Sequence, residues 1–218
     1  MYINCKFSFF WAIFATLTLK TMFEDYKITL ASNSPRRREL LSGLGVKFTV
    51  EPNKDESEAY TDEIPWNEVP AFLAKHKADT FHRELKHNEI LITADTLVFL
   101  PDGKGGAEIL GKPTDREDAV RILKMLSGRT HLVLTGVHIR LNGASVSFTS
   151  STEVTFKTLA EDQIDYYIDN YRPYDKAGAY GVQEWIGYTG ITGINGSYYN
   201  VMGLPVQRLY EALTEITR

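Results

Sequence analysis

Residues 90–100 form a nearly continuous apolar run from Ile90 to Leu100 with a single acid, Asp95, near its centre. A strand with one wet face alternates apolar and polar residues, so an unbroken run marks a strand covered on both faces. That requirement favours a layered α/β architecture. The acid sharpens it further, because aspartate is depleted from strands and costly to bury without a partner. Asp95 therefore needs a counter-ion, a metal or a catalytic task, unless Asp95-Thr96 caps a strand end at a local bulge. The run resumes at once after it, which favours function.

Segments of both kinds surround this strand. Ile28 to Ala31 reads as a short strand, and Ser34-Pro35 opens a helix with Ser as N-cap, Pro at the first helical position and Leu40, Leu41 and Leu44 on its buried side. Val46 to Val50 reads as a strand, residues 51–63 as an acidic loop holding Asp55, Glu56 and Glu58, and Ala71, Ala74, Ala78, Phe81 and Leu85 as a helix stripe. Thr114 with Glu117, and Thr158 with Glu161, have the spacing of capping boxes. Asn142-Gly143 predicts a hairpin turn between strands His131 to Leu141 and Ser145 to Lys157. A last helix is expected from about Pro205, burying Val206, Leu209, Leu213 and Ile216. Parallel-type and hairpin-type elements thus occur together in one mixed α/β chain.

Charge limits what such a chain binds. With 24 basic and 28 acidic residues the net charge is −4, which argues against a protein that coats nucleic acid, since phosphate backbones call for a surplus of Lys and Arg. Any anion must be held by a local site. Cys5 is the only cysteine, so neither an intrachain disulfide nor a Cys-based metal site is available, which fits a reducing cytoplasm. Residues 1–21 stand apart: Phe7 to Leu19 is charge-free and apolar but too short to span a bilayer as a helix. It lacks the strong basic start of a secretory signal and the charged face of a surface anchor. We read it as an extension upstream of Met22, outside the fold and without stable membrane association. Without its lysines, Lys6 and Lys20, the body from Met22 to Arg218 keeps 22 basic against 28 acidic residues, a net −6.

Four groups of residues have chemical potential. Ser32-Asn33-Ser34-Pro35-Arg36-Arg37-Arg38 puts three arginines where a helix already carries partial positive charge, so something negative must compensate. Hydroxyls, free N–H groups and guanidinium forks together make a phosphate cradle, although the arginines could equally face solvent or pair with the acidic loop. Asp95 is the second group. Lys77 and Lys112 are the third; Lys77 flanks an apolar helix face, a common place for a snorkelling lysine, and Lys112 sits between Gly111 and Pro113. The fourth is the stretch from Asp175 to Pro205, dense in glycine and tyrosine, where backbone can closely approach a ligand or merely turn between strands.

These blocks resemble the Maf family of nucleoside triphosphate pyrophosphatases. The resemblance is carried by Ser32-x-Ser34-Pro35-Arg36-Arg37-x-Glu39-Leu40-Leu41, Ala94-Asp95-Thr96, Gly111-Lys112-Pro113, Asp175-Lys176-Ala177-Gly178-Ala179-Tyr180-Gly181 and Gly196-Ser197-Tyr198-x-Asn200-Val201-x-Gly203-Leu204-Pro205. Five blocks in order are far more specific than any one. The resemblance implies an elongated two-lobed α/β fold of the Maf and ITPase-like kind, a mixed sheet with flanking helices and a central substrate cleft, in one domain over residues 22–218. It also implies cleavage of a nucleoside triphosphate to the monophosphate and pyrophosphate with a divalent cation, Mg²⁺ or Mn²⁺, and a homodimer.

Within the family, Arg36, Thr96 and Gln183 match the branch that hydrolyses dTTP and UTP, or modified pyrimidine triphosphates, and would face the base. Asp95 would be the general base and share the metal with Glu56. Ser32, Ser34, Arg37, Lys77 and Lys112 would hold phosphates. A sister branch acting on methylated GTP has Trp in place of Arg36 and Ser-Asp-Gln in place of Ala94-Asp95-Thr96. A rival of another class is a non-catalytic nucleotide-binding regulator of septum formation, which binds without turnover. One departure concerns Tyr171-Arg172-Pro173, where the family commonly reads Gly-Glu-Pro, an exchange of acid for base expected beside the cleft.

Overall fold

The computed structural model describes residues 23–53, 60–61 and 63–218. The apolar extension and Glu56, with its neighbours Asp55 and Glu58, lie outside the described residues. Strand β1 (Lys27–Leu30) leads into helix α1 (Pro35–Gly43), β2 (Phe48–Val50) and α2 (Val69–Asp79). Then come the long strand β3 (Glu89–Pro101), β4 (Ala107–Leu110), α3 (Arg116–Leu126), and the hairpin of β5 (Thr130–Leu141) with β6 (Ala144–Phe156). The chain closes with α4 (Glu161–Tyr171), a 3₁₀ turn at Ala177–Ala179, α5 (Trp185–Gly190), β7 (Ile191–Asn195), α6 (Tyr198–Met202) and α7 (Val206–Ile216).

The strands form one seven-stranded mixed sheet in the order β2-β1-β3-β5-β6-β7, with β4 on the outer half of β3. β1 runs parallel to both β2 and β3, whereas β3, β5, β6 and β7 are antiparallel neighbours. The expected mixed α/β class with flanking helices is what the chain adopts. β3 sits at the centre and is covered on both sides, as its apolar run requires. Its even-numbered residues Ile90, Ile92, Ala94, Val98 and Leu100 enter the main core with α1, α3 and α7 residues. Its odd-numbered residues pack elsewhere: Leu97 and Phe99 against Val69 and Leu73 of α2, and Leu91 against Ala78 and Phe81. Successive residues of β3 therefore address different layers.

One glycine makes the α2 layer possible. Gly136 is the register partner of Asp95, and a Cβ there would lie 2.1 Å from the backbone of Pro70. Only a residue without Cβ lets α2 come down on the sheet at that point. Thr93 Oγ1 then donates to Ala74 O at 2.6 Å, tying helix to strand.

Several sequence expectations move by a residue or more. The α2 helix ends at Asp79 with Thr80 as C-cap, so Phe81 packs beyond it instead of continuing its stripe. Thr114 is not the cap of α3; Asp115 is, accepting from Asp118 N at 2.8 Å, because its carboxylate is the better acceptor at a helix start. At α4 the cap position is Ala160, whose N–H donates to Gln163 Oε1 at 3.2 Å, in place of the Thr158 and Glu161 box. Arg172 is the exposed, left-handed C-cap of α4 (φ 45°) and does not line the cavity described below, so the exchange at Tyr171-Arg172 falls outside it.

Candidate active site

A cavity of about 400 Å³ opens where α1, the middle of β3, the end of α2 and the loops around residues 111 and 175–183 converge. Alternation along β3 delivers two adjacent side chains to it from opposite layers. Asp95 turns toward α2, where one carboxylate oxygen, Oδ1, pairs with Lys77 Nζ. Its side chain is 6% exposed and that of Lys77 14%, so the pair is largely desolvated. The other oxygen, Asp95 Oδ2, is buried with no hydrogen-bond partner among the described residues. An unsatisfied buried carboxylate oxygen is costly, and Asp95 belongs to the lining of a cavity whose ligand can satisfy it.

Thr96 turns toward α1, where its Oγ1 accepts from Arg37 Nη2 at 3.0 Å. Arg37 also donates from Nε to Gly203 O at 2.9 Å and from Nη1 to Ala94 O at 2.8 Å. It thus clamps α1, β3 and the end of α6 together. Its guanidinium is committed to holding the cavity wall as much as to any ligand, which the sequence reading of Arg37 as a phosphate contact did not anticipate. Gly203 supports this clamp with φ 115°, a backbone conformation that favours glycine.

At the start of α1, Ser34 caps the helix by accepting from Arg37 N, and Ser32 Oγ accepts from Ser34 N at 3.2 Å. Each hydroxyl keeps its proton to donate. Arg36 reaches across the mouth to Asp175, with Nη1 2.8 Å from Oδ2. Burial alone would raise the Asp175 carboxyl, but hydrogen bonds from Lys176 and Arg36 outweigh it and hold the group below the usual carboxylate range. Lys112 lines the cavity from a loop fixed by Gly178 N donating to Gly111 O at 3.0 Å. Gln183 lines it too, with a buried Oε1 that lacks a partner among the described residues.

All the sequence-predicted site residues within the described residues, from Ser32 to Gln183, meet in this one cavity. Lys176 and Asn53 are additions. Lys176 is buried, at 2.7 Å from Asp175 Oδ1 and 3.1 Å from Glu184 Oε1, and its signal was a lysine inside the Asp175 to Gly181 block. Among the described lining residues five cationic side chains face two acids, Asp95 and Asp175. A mildly acidic protein therefore holds a locally positive cleft.

The fold and the site define an α/β protein with a cation-lined cleft around one buried, half-satisfied carboxylate, a constellation suited to a small polyanion. The chain belongs to the Maf family: the family model described as Maf-like protein matches residues 27–216. A dTTP/UTP pyrophosphatase of Phocaeicola vulgatus is 52% identical over 193 residues, covering 88% of this chain and 97% of its own. A dTTP/UTP pyrophosphatase of Bacteroides thetaiotaomicron is 50% identical with the same coverage. Another, of Flavobacterium johnsoniae, is 46% identical over 198 residues, 91% of this chain and 99% of its own. Among solved structures, a HAM1 protein from Coxiella burnetii aligns with a TM-score of 0.45 at 17% identity, over 87% of this chain and 99% of that one.

Proposed function

We propose that this protein hydrolyses nucleoside triphosphates, dTTP and UTP foremost, to the monophosphate and pyrophosphate. The observation that carries this reading is Asp95, with one oxygen held by Lys77 and the other unpartnered at the wall of a cation-lined cavity. The names of the relatives, at about half identity, point the same way.

In this mechanism a water bound at Asp95 Oδ2 gives up a proton to the carboxylate as its oxygen attacks the α-phosphorus. The new P–O bond forms as the bond from the α-phosphorus to the bridging oxygen breaks, and pyrophosphate leaves with that electron pair. Lys77 orients Asp95 through Oδ1. Lys112, Ser32, Ser34 and Arg37 hold the phosphates, and each lysine acts as a compact point charge.

The donor set fits a hard divalent cation that retains waters and binds mainly through substrate phosphates. Asp95 Oδ2 is an available anionic oxygen, and among the described residues no cluster of three or more His, Cys, Asp or Glu builds a full protein cage. Glu56 is the second carboxylate in this reading. Bound there, Mg²⁺ or Mn²⁺ would neutralise charge on the phosphates.

Base preference rests on Arg36, Thr96 and Gln183. The unpartnered Gln183 Oε1 is an acceptor, and uracil and thymine offer a ring N–H where cytosine does not. A cytoplasmic setting, where nucleotide pools are found, belongs to the same reading.

The test is pyrophosphate release from a panel of triphosphates with Mg²⁺ or Mn²⁺, repeated with a chelator. Release from dTTP and UTP that stops on chelation is expected. Binding without release from any triphosphate would overturn the enzymatic reading, and release confined to methylated GTP would move the protein to the sister branch.

A further inference from the structure

We infer that Asn53, just beyond β2, supplies a second protein oxygen to the cation shell at Asp95; this rests on the cation-dependent reading above. Asn53 is 9% exposed and lines the same cavity. Its Nδ2 donates to Lys77 O at 2.7 Å and to Thr80 Oγ1 at 3.2 Å. Both partners must act as acceptors here. A carbonyl has no proton, and the Thr80 hydroxyl donates its own to His76 O at 2.9 Å. The amide therefore has one orientation only, nitrogen toward the end of α2 and oxygen away from it.

That oxygen, Oδ1, is buried and without a hydrogen-bond partner among the described residues. The phosphates of a triphosphate cannot satisfy it, because ionised phosphate oxygens are acceptors as well. A hard cation or one of its bound waters can, and an amide carbonyl is an ordinary ligand for such ions. The arrangement also shares its anchor with Asp95. The carbonyl of Lys77 orients Asn53, while the ammonium of the same residue holds Asp95 Oδ1. One residue in the last turn of α2 thus anchors two side chains, Asn53 and Asp95, that line one cavity and each keep a buried, unsatisfied oxygen. A neutral second ligand adds no negative charge to a cleft that must also attract phosphates.

The competing role for Asn53 is purely structural, as a side-chain cap on the end of α2. Mn²⁺ binding separates the two. Free Mn²⁺ is measured by electron paramagnetic resonance over the full-length protein, with and without a non-hydrolysable dTTP analogue, for wild type, Asn53→Leu, Asn53→Asp and Asp95→Asn. Asn53→Leu is expected to weaken Mn²⁺ binding about tenfold or more. Asn53→Asp, which keeps an oxygen and adds charge, is expected to bind at least as tightly as wild type. Wild-type affinity in Asn53→Leu alongside its loss in Asp95→Asn would overturn the inference and leave the cation reading intact. Loss in both Asn53 variants assigns the effect to the missing amide donor and also overturns it. No Mn²⁺ binding by the wild type in either condition removes the cation reading, and the inference with it.

Discussion

Lys77 and Asp95 lie eighteen residues apart in sequence, and their side chains meet as a largely buried ion pair at the wall of the cavity. The lysine comes from the last turn of α2 and the aspartate from the middle of β3, so the pair forms only when helix packs on sheet. Asp95→Asn keeps the shape and removes the negative charge. Pyrophosphate release is expected to fall by at least about 100-fold, with the circular dichroism spectrum unchanged. A fully active Asp95→Asn would refute the general-base role.

Gln183 is argued to read the base through a buried acceptor. For Gln183→Leu, kcat/KM for UTP and dTTP is expected to drop about tenfold to a hundredfold, the cost of one lost buried hydrogen bond. CTP, which has no ring N–H to offer, should change least. An equal loss for all three nucleotides would remove Gln183 from base selection.

Gly136 allows the approach of α2 over Asp95. Gly136→Ala puts a methyl 2.1 Å from the Pro70 backbone, and the three nearest atoms, from Pro70 and Ala71, are all main chain. A loss of about 3 kcal/mol or more in urea unfolding is expected, together with a loss of activity because Lys77 rides on the displaced helix. Near-normal stability would mean that α2 sits less tightly than described.

Arg83 sets an acid-dependent part of the stability. It bonds Glu89, buried at the start of β3, and Glu51, at the end of β2. Hydrogen bonding from Arg83 outweighs burial and holds the Glu89 carboxyl down at about 2, against an ordinary value of 4.5. The unfolded chain therefore takes up the proton first as pH falls. This contribution, up to about 3 kcal/mol, is fully present above about pH 4.5 and is lost toward pH 2. Arg83→Met should lower the melting temperature at pH 7 and flatten its decline across that window. An unchanged slope would show that Glu89 is not the group responsible.

His131 adds a second, earlier acid dependence. Burial drives its imidazole down to about 3 from 6.5, while its Nε2 meets Tyr180 Oη at 2.8 Å. The unfolded histidine binds a proton that the folded one refuses, so stability declines as pH falls from about 6.5 toward 3. Nuclear magnetic resonance of the imidazole should find it neutral at pH 5; a protonated ring at that pH would contradict the burial argument.

Much of this was legible in the sequence because it depends on local pattern. The apolar run of β3 required cover on both faces, Ser34-Pro35 specified the start of α1, and Asn142-Gly143 specified the hairpin of β5 and β6. The caps of α3 and α4 lie one and two residues past the expected threonines, at Asp115 and Ala160, a choice made by the geometry of chain entry. The short elements β4, β7, α5 and α6 carry too few residues for a period to register, and pairing with longer neighbours holds them in place.

The site divides along the same line. Residue chemistry alone singled out Asp95 as an acid that needed a reason, and the motif blocks marked the cations around it. Sequence could not say which oxygen of Asp95 would be held and which left open, that Arg37 would turn its fork to two backbone carbonyls and the Thr96 hydroxyl, or that Asn53 would be turned by Lys77. Those are decisions of tertiary structure, because each depends on where groups far apart in sequence come to rest when helix, strand and loop close on one buried cavity.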